Sequence, residues 1–353
     1  MTKKVAIIGA GISGLFIANL FKGNSDYQVT IYEKKESINL KEGYGIQLSV
    51  NSIKILNKIG FNKLKDNDKF NPYKIDFYSK NSSKKLCDLD LSEFNLEDCK
   101  YTTLKRSVLI NFLEKGLGDL IKTGYEISKI DHQDRQINLY FENKEVNKCD
   151  ILIISDGVFS KSKKIISNDQ SKPRYNNLLA IRGSLAKGVM RDKKNDETSI
   201  IKSINHENIS IFLSSNFHSV IYPVNHYGDF NYIGIMKYKL SSQQQKDYSL
   251  FNDNSFKRKI FNQIPIKNDI TSNLSDIKIF PVFVSDNFCK LQNDNIHLIG
   301  DAFFAFPPSF AQGASQSIEG AYELFKSIQN NSENNFFKKR VKKTKMVNIR
   351  SKF

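Results

Sequence analysis

The most constraining feature of this chain is its opening, where the apolar run Lys4-Val5-Ala6-Ile7-Ile8 leads into Gly9-Ala10-Gly11-Ile12-Ser13-Gly14-Leu15. A short apolar run opening into Gly-x-Gly-x-x-Gly reads as strand, tight turn and helix. Gly9 permits the turn, Gly11 lets backbone approach a pyrophosphate with no Cβ in the way, and Gly14 lets the helix pack close to the strand. The phosphates would rest on the helix N-terminus, around Ile12 and Ser13. Unpaired N–H groups and the positive end of the macrodipole favour an anion there.

The same logic calls for an acidic residue at the end of the second strand, about 20 residues on. Gln28-Val29-Thr30-Ile31-Tyr32-Glu33 is an alternating strand that ends in Glu33, followed by Lys34 as a further contact candidate. The Glu33 carboxylate can accept both hydroxyls of an adenosine ribose and would repel a 2′-phosphate, so FAD or NAD is expected in preference to NADP. Lys3-Lys4 before an apolar run also resembles a secretory signal or membrane anchor. Three glycines inside the run weaken a helix, and no small-residue cleavage site follows.

At 353 residues, with 40% hydrophobic and 12% aromatic content, the chain is long enough for two domains or one domain carrying an insertion. Cys87, Cys99, Cys149 and Cys289 form neither a C-x-x-C pair nor a zinc spacing, so no metal site and no disulfide framework is expected. Reduced thiols and a cytoplasmic, soluble protein are the expectation. The net charge of +16 is spread as lysine along the whole chain and no nucleic-acid motif accompanies it. Lys338-Lys339-Arg340-Val341-Lys342-Lys343-Thr344-Lys345 is the dense exception. Such a run reads first as a solvated helix face, with a weak membrane or acidic-partner contact as the functional option.

Further along, Gly45-Ile46 precedes an amphipathic stretch with Ile53, Leu56 and Ile59 at helical spacing, ended by Gly60. Tyr73 to Tyr78 is strand-like, and a polar loop is expected from there through Cys99. Arg106 opens a helix carrying Leu109, Phe112 and Leu113; it could reach a phosphate or a ribityl chain, or be a plain surface arginine. Gly116-Leu117-Gly118 reads as a helix end. After a hairpin between Tyr125 and Tyr140, Ile151-Leu152-Ile153-Ile154 is a buried strand delivering Asp156-Gly157 to a turn. That is the carboxyl end, where open α/β sheets bind ligands. Roughly 175 to 290 is rich in β pattern, a block suited to a substrate domain. Finally Ile296-His297-Leu298-Ile299 ends in Gly300-Asp301, and a loop stiffened by Pro307-Pro308 reaches Gly313 at the start of another helix.

With these motifs in order, the chain resembles the aromatic-ring hydroxylase family of FAD-dependent monooxygenases, which contains p-hydroxybenzoate, salicylate and ubiquinone-pathway hydroxylases. Gly9, Gly11, Gly14 and Glu33 match its adenine-dinucleotide fingerprint, Asp156-Gly157 its Asp-Gly motif, and Gly300-Asp301 through Pro307-Pro308 and Gln312-Gly313 its Gly-Asp motif. Gly45-Ile46, Arg106, Arg182-Gly183 and Tyr222-Pro223 are lesser matches. Ser155 stands where alanine is usual, and Phe303-Phe304 replace the Ala-His that commonly follows Gly-Asp-Ala.

The resemblance implies an α/β fold: a Rossmann-like FAD-binding domain of the p-hydroxybenzoate hydroxylase type with an inserted β-rich substrate domain. FAD-binding segments are expected at 1–75, 101–175 and 286–353, the last with a basic C-terminal helix, and substrate-domain segments at 76–100 and 176–285. It implies FAD reduction by NADH or NADPH, a flavin C4a-hydroperoxide, and oxygen transfer to a phenolic or aromatic-acid ring. Asp301 would bind the ribityl chain and Pro308 would lie beside the isoalloxazine. The helix at Gly313-Ala314 would face the anionic N1 and O2 of reduced flavin. Pro307, Pro308 and Tyr222 are pocket candidates, and Tyr222, His218 and His226 are candidates for a substrate-activating base. Phe303, Phe304, Phe306 and Phe310 could wall the pocket or fill core. With one nucleotide fingerprint, NAD(P)H would bind transiently in a shared groove. A monomer or homodimer is expected, with a small aromatic substrate and O₂ as its partners and no nucleic acid.

Other readings are a flavin reductase of isoprenoid type, a nicotinamide dehydrogenase that leaves the second and third motifs unexplained, or a non-catalytic flavin-binding protein. A halogenase is disfavoured, because its Trp-x-Trp-x-Ile-Pro signature cannot exist in a chain with Trp 0.

Overall fold

The computed structural model describes residues 2–38, 44–79, 84–133, 136–167, 172–185, 204–264, 273–285, 287–308 and 311–350. Its central element is a five-stranded sheet in the spatial order Ile296–Leu298, Ile151–Ile154, Lys3–Ile8, Tyr27–Glu33, Ile121–Thr123. Every pairing in it is parallel, with Val5 beside Ile151 and Ile8 beside Ile154. Parallel strands covered on both faces read as unbroken apolar runs, which explains Val5–Ile8 and Ile151–Ile154. Val5 and Ile7 pack with Leu15, Phe16, Leu109, Ile318 and Leu324 from three helices, Ile12–Lys22, Arg106–Glu114 and Gly313–Gln329. Ala6 and Ile8 turn the other way, onto Ile137 and Leu139 of an antiparallel meander. Two apolar layers thus clamp one short strand and fix where its carboxyl end, the Gly9 turn, emerges.

The second large element is a seven-stranded sheet ordered Ser275–Val284, Arg174–Leu185, Phe230–Lys237, Phe217–Pro223, Ile209–Leu213, Lys74–Ser79, Lys85–Asp90. Its pairings are antiparallel apart from Ile209–Leu213 with Lys74–Ser79. The period of two sends Leu179, Ile181, Ile221 and Tyr232 to one face, buried under Phe256 and Ile260 of the Asn254–Asn262 helix. Ala180, Arg182, Val220, Tyr222, Ile233 and Ile235 belong to the opposite face. That face meets the nucleotide side, where the Gly45 N–H donates to Asn231 Oδ1 at 2.6 Å and Lys105 pairs with Asp229 at 2.6 Å.

Two expectations need correction. The polar loop through Cys99 contains a strand, Lys85–Asp90, hidden from sequence because it is an exposed edge strand without apolar alternation. Lys85 bridges Asp76 and Asp88 there at 2.7 and 2.6 Å, a charged edge of the kind that resists further strand pairing. The basic run near the C-terminus lies in the helix Glu333–Arg350, but it is not simply a solvated face, because Arg340 and Thr344 are buried. No helix among the described residues is long and apolar enough to cross a membrane.

Candidate active site

The turn after the first strand has the geometry its glycines demand. Gly9 has φ +98°, and an ideal Cβ on it would stand 2.8 Å from the Ser155 carbonyl oxygen. A Cβ on Gly14 would stand 2.1 Å from the Gly9 carbonyl oxygen. Gly11 differs from both, since nothing lies within 4 Å of its ideal Cβ, so this side of the loop is open. The first intrahelical bond runs from Leu15 N–H to the Gly11 carbonyl, 2.9 Å. The amides of Ile12, Ser13 and Gly14 therefore point out of the helix start without intrahelical acceptors, and Gly11 supplies no side-chain cap. An open backbone flank plus free helix-start donors is a cradle for a pyrophosphate.

Ser155, noted in the sequence only as a departure from alanine, has a structural use. Its Oγ donates toward the carbonyls of Ile8 (2.8 Å) and Gly9 (3.0 Å), tying the second motif to the first loop. Glu33 closes the other side, where Oε2 accepts from the Ala10 N–H at 2.8 Å and Oε1 from the Lys35 N–H at 3.1 Å. These bonds orient the carboxylate and leave lone pairs for ribose hydroxyls. Gly9, Gly11, Glu33, Lys34, Arg106, Asp156 and Gly157 all line one cavity of about 370 Å³. Asp156 accepts from the Ser162 N–H at 3.1 Å through Oδ2, while its buried Oδ1 has no partner among the described residues.

Gly300, Asp301 and Gly313 border a second, much smaller void rather than that cavity. The two parts touch at Gly300, with φ +59°, where an ideal Cβ would lie 2.5 Å from Ser13 Oγ. Asp301 is exposed at the surface, and the protein packed around its carboxyl pushes it up to about 6. It has no hydrogen-bond partner among the described residues. The helix Gly313–Gln329 begins with no side-chain cap and with open space at the Gly313 Cβ position. Ala314 is partly buried beside it, Pro307 is buried and Pro308 half-buried. An open carboxylate and an open helix start fit the ribityl hydroxyls and anionic ring edge of FAD.

Arg340 was missed as a site residue, because sequence showed only a basic run. Its Nη2 donates to the Gln316 carbonyl at 2.6 Å and to Gln316 Oε1 at 3.0 Å, and Nη1 lies 3.3 Å from Glu323. Lys343 pairs with Glu319 and Glu323. The last helix is thereby clamped to the opening turns of the helix that starts at Gly313.

On the sheet side, Tyr222 is buried and lies against Gly45, whose ideal Cβ would be 2.8 Å from its ring. Tyr101 donates to Gln47 Oε1 at 2.7 Å. Burial holds the Tyr101 and Tyr222 phenols well above their ordinary range, so both stay protonated. Arg182 and Lys278 are direct partners across adjacent strands and lie 5.2 and 5.6 Å from the Tyr44 ring centroid. His218 is half-buried on the Tyr222 face and its pKa is lowered by desolvation, whereas His226 is exposed beside Phe70. Phe303 and Phe304 are buried in core, Phe304 stacking on Phe288 at 4.7 Å, and Phe306 packs on Phe304. Phe310 lies outside the described residues.

The family model described as an FAD binding domain matches residues 2–333. The chain is 22% identical over 327 residues to 6-hydroxynicotinate 3-monooxygenase of Bordetella bronchiseptica, covering 91% of this chain and 81% of that protein. Its fold is similar to a salicylate hydroxylase substrate complex, with TM-score 0.80, 17% identity and coverage of 99% and 87% of the two chains. It is also similar to 2,6-dihydroxypyridine-3-hydroxylase from Arthrobacter nicotinovorans, with TM-score 0.78, 16% identity and coverage of 96% and 87%. A three-motif nucleotide cradle set beside a large antiparallel sheet, matched along nearly its whole length by that model, makes this chain a member of the FAD-binding-domain family of flavoprotein monooxygenases, the aromatic-ring hydroxylases.

Proposed function

We propose that the protein hydroxylates a small aromatic ring, phenolic or carboxylated, using FAD, O₂ and NADH or NADPH. The observation that carries this reading is the convergence of three distant motifs: Ser155 bonds the Ile8 and Gly9 carbonyls, and Gly300 abuts Ser13. In this reading residues 1–75, 101–175 and 286–353 hold FAD, and 76–100 with 176–285 form the substrate domain. Bound FAD supplies the redox chemistry, accepting hydride from the nicotinamide and activating O₂ for insertion of one oxygen atom into the ring.

The chain's residues do the rest. Gly11 and the amides of Ile12 and Ser13 receive the pyrophosphate, and Glu33, with Lys34 beside it, receives the adenosine ribose. Arg106, Asp156 and Gly157 border the remainder of that cavity. Asp301 accepts from ribityl hydroxyls, Gly313 and Ala314 present helix-start amides to the flavin edge, and Pro307-Pro308 stiffen the approach. The ring substrate lies against the apolar sheet face of Ala180, Val220 and Ile233. Arg182 and Lys278, direct partners in the ladder, supply cations for an acidic substituent. Tyr222, held protonated, serves as a donor rather than a base. The protein acts on a freely diffusing substrate as a monomer or homodimer in the cytoplasm.

The test is a panel of hydroxylated and carboxylated monocyclic aromatics assayed for NADH and NADPH oxidation under ¹⁸O₂. A product carrying one labelled oxygen is the expected result. A product that gains hydrogen without label would move the assignment to a flavin reductase. Nicotinamide oxidation that no aromatic stimulates would remove the hydroxylase reading.

A further inference from the structure

A further cavity of about 270 Å³ lies at the outer edge of the parallel sheet; it shares no lining residue with the 370 Å³ nucleotide cavity and meets the small void at Gly300 only through Leu298, Phe303 and Phe336. Its floor is the edge strand Ile296–Leu298, which pairs on one side only, so its outward backbone groups meet no further strand. Its apolar wall is Phe303, Phe336 and Phe337, with Leu291 at the mouth. His297 also lines it. That side chain is 8% exposed, neither ring nitrogen has a hydrogen-bond partner among the described residues, and the ring sits edge-on to Phe336 with centroids 6.5 Å apart.

The His297 ring borders the cavity, so its polar edge can meet an occupant there. Desolvation lowers its pKa to about 4, so it is neutral and offers one N–H donor and one lone pair. Four charges border the opening, Lys290 and Lys338 against Asp294 and Glu333, and none of them joins an ion pair among the described residues. Two of each sign give no net preference for an ion. The volume suits one ring or a small fused pair, below the range usual for drug-sized ligands.

We infer that this cavity is a second ligand site, distinct from the flavin cleft, for a small uncharged hydroxyaromatic whose ring packs on Phe303, Phe336 and Phe337 and whose hydroxyl pairs with His297. Phe303 lies in the short helix Gly300–Phe303 that carries Asp301, so the occupant sits directly behind the third nucleotide motif.

The experiment titrates FAD-loaded protein, without NADH or NADPH, with 4-fluorophenol followed by ¹⁹F NMR. Wild type binds the probe. His297→Leu keeps the volume, removes the polar partner and weakens one component of that binding by about two- to tenfold, the scale of one hydrogen bond. Leu291→Trp fills the mouth and abolishes that component, which keeps the test open where His297→Leu fails to fold. 4-Fluorobenzoate shows no component sensitive to either substitution. Retention of the yellow FAD spectrum in both variants separates this site from the flavin assignment. Unchanged 4-fluorophenol binding in FAD-loaded Leu291→Trp, no binding to wild type, or a His297-dependent site that prefers 4-fluorobenzoate would each overturn the proposal.

Discussion

At the Gly9–Gly14 turn the backbone itself shapes the site, whereas on the seven-stranded sheet the face toward Gly45 is shaped by side chains such as Arg182, Tyr222 and Ile233. The difference governs how much each region tolerates. A backbone cradle needs the absence of a Cβ at fixed positions, so its residue types are forced by geometry. A sheet face needs only apolar or polar character at every second residue, so many residues can occupy the same ladder. Binding of the shared cofactor therefore leaves a sharp signature, and selection of a particular ring leaves a diffuse one.

The largest expected effect breaks the cradle by two substitutions three residues apart. Gly14→Ala puts a Cβ 2.1 Å from the Gly9 carbonyl oxygen, and should cost roughly 3 kcal/mol or more of stability by thermal unfolding of flavin-free protein. Gly11→Ala meets nothing within 4 Å and should leave that melting temperature almost unchanged, while FAD affinity falls by about five- to 150-fold, the equivalent of about 1–3 kcal/mol of overpacking. Equal melting losses in the two variants would mean that the open side of Gly11 is not a ligand surface.

Arg340→Met comes next. It leaves the Gln316 carbonyl and Glu323 without their buried guanidinium partner, at a cost of roughly 2–3 kcal/mol in urea unfolding, with Arg340→Lys recovering part. A neutral result would detach the last helix from the site.

Asp301→Asn should weaken FAD by about ten- to 100-fold, the range for a charge-assisted hydrogen bond. It also exposes a hidden balance in pH. The Asp301 carboxyl is raised from 3.8 to about 6 in the fold, so between these values the unfolded state holds fewer protons and stability falls as pH rises. His297 is lowered from 6.5 to about 4, so over nearly the same window the unfolded state holds more protons and stability rises with pH. The flavin-free wild type should gain stability modestly from pH 4 to 6, because the buried His297 outweighs the exposed Asp301. Asp301→Asn should gain stability with pH more steeply than wild type, by at most about 1.4 kcal/mol per pH unit from His297, whereas His297→Leu should lose it only shallowly, because Asp301 is exposed and screened. Parallel profiles in all three proteins would refute both shifts.

The smallest effect expected is Ser155→Ala, which removes one hydroxyl shared between two carbonyls. A loss of about 1 kcal/mol and a modest weakening of FAD would separate this chain's way of tying its motifs from that of relatives with alanine.

The readable part of the fold was the part built from local rules. Val5–Ile8 and Ile151–Ile154 announced buried parallel strands by their unbroken apolar character, and Gly9, Glu33 and Gly300-Asp301 announced the turns at their carboxyl ends. Lys85–Asp90 was invisible, because an exposed edge strand needs no apolar alternation. Phe303 and Phe304 could equally have lined a pocket or a core; packing on Phe288 placed Phe304 in core, while Phe303 both packs on Phe336 and walls the outer cavity.

By itself, then, the sequence determined the glycine turn and open helix start that we propose as the nucleotide cradle, since a missing Cβ and a free helix start are properties of residue type and spacing. Tertiary structure alone decided which lysines and arginines of a uniformly basic chain turn inward, as Arg340 does, and which pair across a ladder, as Arg182 and Lys278 do. It also decided that His297 would face a cavity. Such outcomes depend on contacts between residues tens or hundreds of positions apart, and no local pattern records them.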